Sequence, residues 1–130
     1  MAIKLEEGDQ ERQRYLETLK NGYRFRGFVV FDQKRAAEPI AEHLGLDENA
    51  FTYLMVPYLE SGGRLDRVDE IRPEWKHVWK FHFDLWPEVS SQSLYVETRF
   101  VDDPELDNRE IIVVSVHPPD DVTWSRWNKR

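Results

Sequence analysis

The stretch WKHVWKFHFDLW, Trp75 to Trp86, holds three of the five tryptophans of the chain. Read every second residue, one side is His77, Trp79, Phe81, Phe83 and Leu85, and the other is Lys76, Val78, Lys80, His82 and Asp84. A period of two belongs to a strand, whose successive side chains point to opposite faces of a sheet. One of these sides is aromatic and must be covered; the other is polar and faces water or a partner.

The segments that follow repeat the pattern. SLYVETRFV sets Leu94, Val96, Thr98 and Phe100 against Tyr95, Glu97, Arg99 and Val101. EIIVVSVHP, Glu110 to Pro118, is apolar on both sides, as a strand buried on both faces would be. The short connections PEVSSQ and DDPELDNR make the three strands an antiparallel meander.

The N-terminal half changes period. GDQERQRYLETLKNG reads as a helix, capped by Asp9 and stopped at Asn21-Gly22. YRFRGFVVFD, Tyr23 to Asp32, reads as a strand with a bulge at Gly27. A helix over Ala36–Leu44 ends at Gly45, and Asp47 caps another in which Phe51, Leu54, Met55 and Tyr58 share a face, with Pro57 kinking or ending it. GRLDRVDEIRPEW reads as a charged loop, and Trp124 and Trp127 offer the tail two anchors as one helical turn. The fold class expected is α+β: a three- to four-stranded antiparallel sheet with helices packed on one face. At 130 residues, residues 1–130 make a single domain.

Composition narrows the function. With 18 basic and 25 acidic residues the net charge is −7, which argues against broad nonspecific binding to nucleic acid. It suits solubility, or docking on a basic protein, with Asp102–Glu110 the most acidic run. There is no cysteine, so disulfides and thiolate metal sites are excluded. No apolar run reaches membrane-spanning length and no signal peptide is evident, which makes a cytoplasmic, membrane-free protein the expectation. No phosphate-binding glycine motif and no nucleophile elbow occur, and no cofactor is implied. His82, Asp84 and His117 could form a facial metal set, but their spacing matches no ligand signature, so no metal site is expected.

The open side of the meander would carry Lys80, His82 and Asp84, then Tyr95, Glu97 and Arg99, then, if the register permits, Ser115 and His117. Cleaving RNA by acid–base chemistry needs a base for the 2′-hydroxyl, an acid for the leaving 5′-oxygen and donors for the phosphorane. Glu97 or a histidine suits the first role, His117 or His82 the second, and Arg99 and Lys80 the third. Tyr95 can donate to phosphate or stack on a base. Against this stands the ordinary solvated face of an antiparallel sheet, on which Glu97 and Arg99 merely pair. His77 points with the aromatic side, and His43 is placed where a helix end suffices to explain it.

The run EHLGLDENAFTYLMVPYLE, then HVW, LYVETRF and IIVVSVHP, resembles the motility quorum-sensing regulator (MqsR-like) toxins, within the wider RelE-like group of bacterial mRNA interferases. The matching features are Gly45-Leu46-Asp47 before a helix, Trp79, Tyr95 and the Val113–His117 run, over roughly residues 36 to 118. The resemblance implies an endoribonuclease of single-stranded RNA controlled by a cognate antitoxin, with Tyr95 at the site. Lys80 stands where the family carries glutamine, His117 where it carries lysine, and Arg64 or Arg67 near another family lysine, as substrate contacts. The family is usually basic and this chain is acidic, so a second expectation stands beside the first: a non-catalytic binding protein (immunity, antitoxin or regulatory module) on a similar scaffold, with a basic partner.

Overall fold

The computed structural model describes residues 2–24, 28–68, 78–85, 93–103, 108–119, 122–125 and 127. The expectations at Trp75, Lys76, His77, Trp86 and Gly27 lie outside these residues. The fold is α+β. In chain order it runs β1 (Ala2–Leu5), α1 (Gln10–Arg24), β2 (Val29–Phe31), two wide helical turns (Gln33–Ala37 and Ile40–Leu44), α2 (Glu48–Glu60), β3 (Leu65–Val68), β4 (Val78–Leu85), β5 (Leu94–Asp103) and β6 (Asn108–His117).

The sheet is larger than the sequence suggests. It has six strands in the order β1-β3-β4-β5-β6-β2. The β4-β5-β6 meander is antiparallel as expected. β3 and β1 extend it on one side, and β2 adds to β6 in parallel on the other, so the sheet is mixed. β3 lies where a charged loop was expected: Leu65 is buried and carries a four-residue strand whose other members are Asp, Arg and Val.

Capping sets the helices. Asp9 Oδ1 accepts from the backbone N–H of Glu11 at 2.8 Å and opens α1. Asp47 accepts from Ala50 N–H at 2.7 Å and opens α2; Asp32 does the same for Arg35 at 2.8 Å. α1 runs through Asn21 and Gly22 to Arg24, so Tyr23 and Arg24 belong to the helix and β2 is confined to Val29–Phe31. α2 likewise continues past Pro57, which falls in its last turn, where the missing N–H costs a single ladder bond. Pro39 keeps helical dihedrals (φ −59°, ψ −41°) within the stretch between Asp32 and Gly45, and the turns either side widen: Ala37 N–H reaches back five residues to Asp32 and Leu46 N–H six residues to Ile40. Gly45, at φ 68°, closes the segment in the left-handed conformation.

The core lies between the helices and one sheet face. Tyr15, Leu19, Phe51 and Met55 come from the helices; Phe81, Phe83, Val96, Phe100, Ile111 and Val113 come from the sheet. Tyr15 packs on Phe81 and edge-on to Phe100, with centroids 5.0 and 5.5 Å away. Its buried hydroxyl lies 2.8 Å from Thr98 Oγ1, which donates to Phe81 O at 2.9 Å. Thr98 has one hydroxyl proton and spends it on Phe81, so Tyr15 is the donor to Thr98, and burial pushes its own ionisation far up. Arg12 is buried and donates to the carbonyls of Leu5, Leu59 and Gly63, closing the C-terminal end of α2 onto β1. The tail docks. Trp127 is buried and donates to Ser93 O at 3.2 Å, while Trp124 stacks on His43 with centroids 4.4 Å apart and planes within 7°.

Candidate functional site: the open face of the sheet

Alternation sends the odd residues Trp79–Leu85 of β4 and the even residues Leu94–Phe100 of β5 toward the helices. The residues between them face away. Val78, Lys80, His82 and Asp84 of β4 stand directly opposite Val101, Arg99, Glu97 and Tyr95 of β5.

β6 needs a device to join them. Ile111 and Val113 face the core, so strict alternation would turn Ser115 and His117 inward as well. Glu97 pairs with Ser115 while Thr98 pairs with Val113, so Val114 is unopposed. This one-residue bulge reverses the alternation. Val116 enters the core, Ser115 sits opposite Glu97, and His117 sits opposite Tyr95. The register that the sequence left open is thereby settled, and the doubly apolar reading of the strand reflects the reversal.

Three rings line up across β4, β5 and β6. His82 and Tyr95 have centroids 5.3 Å apart, and Tyr95 and His117 5.0 Å apart, with tilts of 32° and 33°. His117 Nδ1 lies 2.7 Å from Pro118 O. A carbonyl only accepts, so Nδ1 carries a hydrogen and Nε2 is the nitrogen that exchanges protons. Below the rings, Glu97 takes Lys80 Nζ at 3.1 Å on one oxygen and Arg99 Nη1 at 3.4 Å on the other. These are sheltered groups for an open face, with side chains 15, 24 and 24% exposed for Glu97, Lys80 and Arg99.

Two acidities shift. Desolvation lowers the His82 pKa below its ordinary 6.5, against the pull of Asp66, Asp84 and Glu97, so the ring is neutral at pH 7. Burial works to raise the Glu97 pKa, but the Lys80 hydrogen bond and charge, with Arg99 and Arg35, outweigh it and hold the carboxyl below its ordinary 4.5. An ionised, doubly paired carboxylate is a weak base. Of the proton acceptors expected from the sequence, His82 is therefore better suited than Glu97.

The sequence-derived candidates thus divide. His82, Tyr95, Glu97, Arg99, Lys80 and His117 share one face. Arg64 sits on the same side, two strands away, with Nε on Asp66 at 2.9 Å. Arg67 does not join them: it is opposite Phe81, on the helix side, and pairs with Glu11 of α1. The strand alternation of Leu65–Val68 reverses Arg67 relative to Asp66, which a loop reading could not reveal. Arg35 was not anticipated. β2 stops opposite Val113, and the wide turn after it continues along the β6 edge, anchored by Asp32 N–H to Val113 O at 2.9 Å. That brings the Arg35 charge to bear on Glu97. The Asp32 cap was its only trace in the sequence.

Among the described residues no group of three or more histidine, aspartate or glutamate side chains is arranged to hold a metal ion. No described helix is long and apolar enough to cross a membrane. Comparison of the chain with family models, with curated proteins and with solved structures gives no match.

Proposed function

We propose that the protein is a toxin-type endoribonuclease that cleaves single-stranded RNA by acid–base chemistry, under the control of a cognate antitoxin. The observation that carries this reading is the His82–Tyr95–His117 row above the Lys80–Glu97–Arg99 cluster. Neutral His82 accepts the proton of the ribose 2′-hydroxyl as its oxygen attacks phosphorus. Protonated His117, held by Pro118 O at Nδ1, gives its Nε2 proton to the departing 5′-oxygen. Lys80 and Arg99 face the charge that builds on the phosphoryl oxygens, with Glu97 positioning both. The products are a 2′,3′-cyclic phosphate and a free 5′-hydroxyl. The RelE-like resemblance of residues 36 to 118 supports the same class, with Tyr95 the position shared directly.

The test is cleavage of single-stranded RNA in the presence of a chelator. Wild type yields fragments ending in 2′,3′-cyclic phosphate. His117→Ala and His82→Ala each lose about 10²- to 10⁴-fold in kcat/KM. Wild type that leaves RNA intact, or equal cleavage by all three proteins, removes the reading.

The second reading, a non-catalytic acidic binding protein, draws on the net charge of −7. Its expected docking run is already partly engaged at Asp102, which pairs with Arg14 at 2.7 Å and Arg109 at 3.3 Å. That intramolecular pairing leaves less of this run free for a basic partner.

A further inference from the structure

A cleft of about 380 Å³ opens at the far end of the sheet, lined by Lys4, Glu6, Glu7, Arg12 and Arg64 among others. Arg12 is committed to three backbone carbonyls there. Arg64 is not committed in that way. Its side chain is 65% exposed, its Nε serves Asp66, and its two terminal nitrogens bond no described residue. Lys4 is exposed and forms no ion pair among the described residues.

The register joins this cleft to the ring row. Lys4 is opposite Asp66, Asp66 opposite His82, His82 opposite Glu97, and Glu97 opposite Ser115. Directly paired residues share a face, so one row crosses β1, β3, β4, β5 and β6 over about 19 Å, at about 4.8 Å per strand. Cations stand toward both ends: Lys4 and Arg64 at the cleft, Lys80, Arg99 and Arg35 toward β6. Between them lies Asp66, with Asp84 beside His82 on β4; both repel phosphate and accept from ribose hydroxyls or base amino groups. Along the strands the same face turns apolar at Val68, Val78 and Val101. Charge therefore favours a polyanion lying across the strands.

We propose that Lys4 and Arg64 form a second phosphate subsite, so that the substrate is a single RNA strand several nucleotides long running across the sheet. One phosphate lies at Lys80 and Arg99 and a later one along the strand at the cleft, with the intervening sugars and bases over Asp66 and Asp84. The inference rests on the ribonuclease reading, and its test separates the two. Two RNAs sharing the cleaved step are compared, a dinucleoside monophosphate and a pentanucleotide, alongside a fluorescent 2′-deoxy pentanucleotide for binding. Wild type favours the pentanucleotide by about tenfold or more in kcat/KM. In the Lys4→Gln, Arg64→Gln double variant, with folding checked by circular dichroism, that ratio falls toward one and the deoxy strand binds correspondingly more weakly. A wild type indifferent to length, or a variant that keeps the full preference, overturns the subsite while cleavage still stands. Deoxy-strand binding that the variant loses, with no RNA cleaved, keeps the subsite and ends the ribonuclease reading. Neither binding nor cleavage ends both.

Discussion

His82 shows how one side chain is set by competing neighbours. Asp66, Asp84 and Glu97 all favour its cation, yet burial between strands outweighs them and its pKa falls below 6.5. The unfolded chain therefore binds this proton first as pH drops. Stability is fully present above about pH 6.5 and is lost as pH falls through the lower, folded value. Glu97, also depressed, adds a second loss that begins only below its ordinary 4.5. His82→Gln removes the upper step and leaves the lower one. Urea midpoints measured between pH 7.5 and 3.5 in about half-unit steps separate them. Equal decline of wild type and variant between about pH 6.5 and 5 would falsify the assignment to His82. At this scale the polar candidates were legible because alternation alone lists them. The role of each was not, since it depends on who stands opposite: Glu97 is taken by Lys80 and Arg99, and Arg67 by Glu11.

Elements assemble those residues, and the bulge at Val114 is the decisive one. Deleting Val114 restores strict alternation, so either Ser115 and His117 turn toward the core and Val116 turns out, or β6 slips past Tyr95. Ejecting a buried valine forfeits about 1.5–3 kcal/mol. Admitting an unpartnered hydroxyl and imidazole adds about 1–3 kcal/mol for each. The deletion is expected to cost on the order of 3 kcal/mol or more in urea unfolding and to abolish cleavage even where the protein stays folded. Wild-type stability together with wild-type cleavage contradicts the bulge as the device that presents His117. No pattern in VVSVH announces a bulge, because valine suits either face. β4 and β5, by contrast, could be read from Phe81, Phe83, Val96 and Phe100 alone. β1 (AIKL) and β3 (LDRV) escaped because four residues are too few to establish a period, and in β3 two of the four are charged. Tyr23 and Arg24 suit a strand by composition, but α1 carries on through Gly22 and takes them into its last turn. The cost of glycine in a helix, about 1 kcal/mol, is small beside the packing of Tyr15 and Leu19.

Across the whole molecule, helices shield one sheet face and leave the other to a limited set of cations in a chain of net charge −7. That balance constrains how RNA binds. A basic nuclease gathers many phosphates and loses affinity steeply with salt. Here Lys80 and Arg99 address one phosphate and Lys4 and Arg64 another, on a chain whose acidic residues outnumber its basic ones. Single strands release about 0.7 counterion for each phosphate neutralised, so two contacts predict a slope near −1.4 for log kcat/KM against log salt. The Lys4→Gln, Arg64→Gln variant should fall to about −0.7. Duplex RNA presents more phosphates than this face can neutralise and forces the surplus against acidic surface, so it should neither bind nor compete at moderate salt. Kinetics from about 50 to 200 mM monovalent salt, with duplex as competitor, give both quantities. A slope of about −3 or steeper, or strong inhibition by duplex, would mean that RNA contacts many more cations than this face offers and that the path across β1 to β6 is not the one it takes.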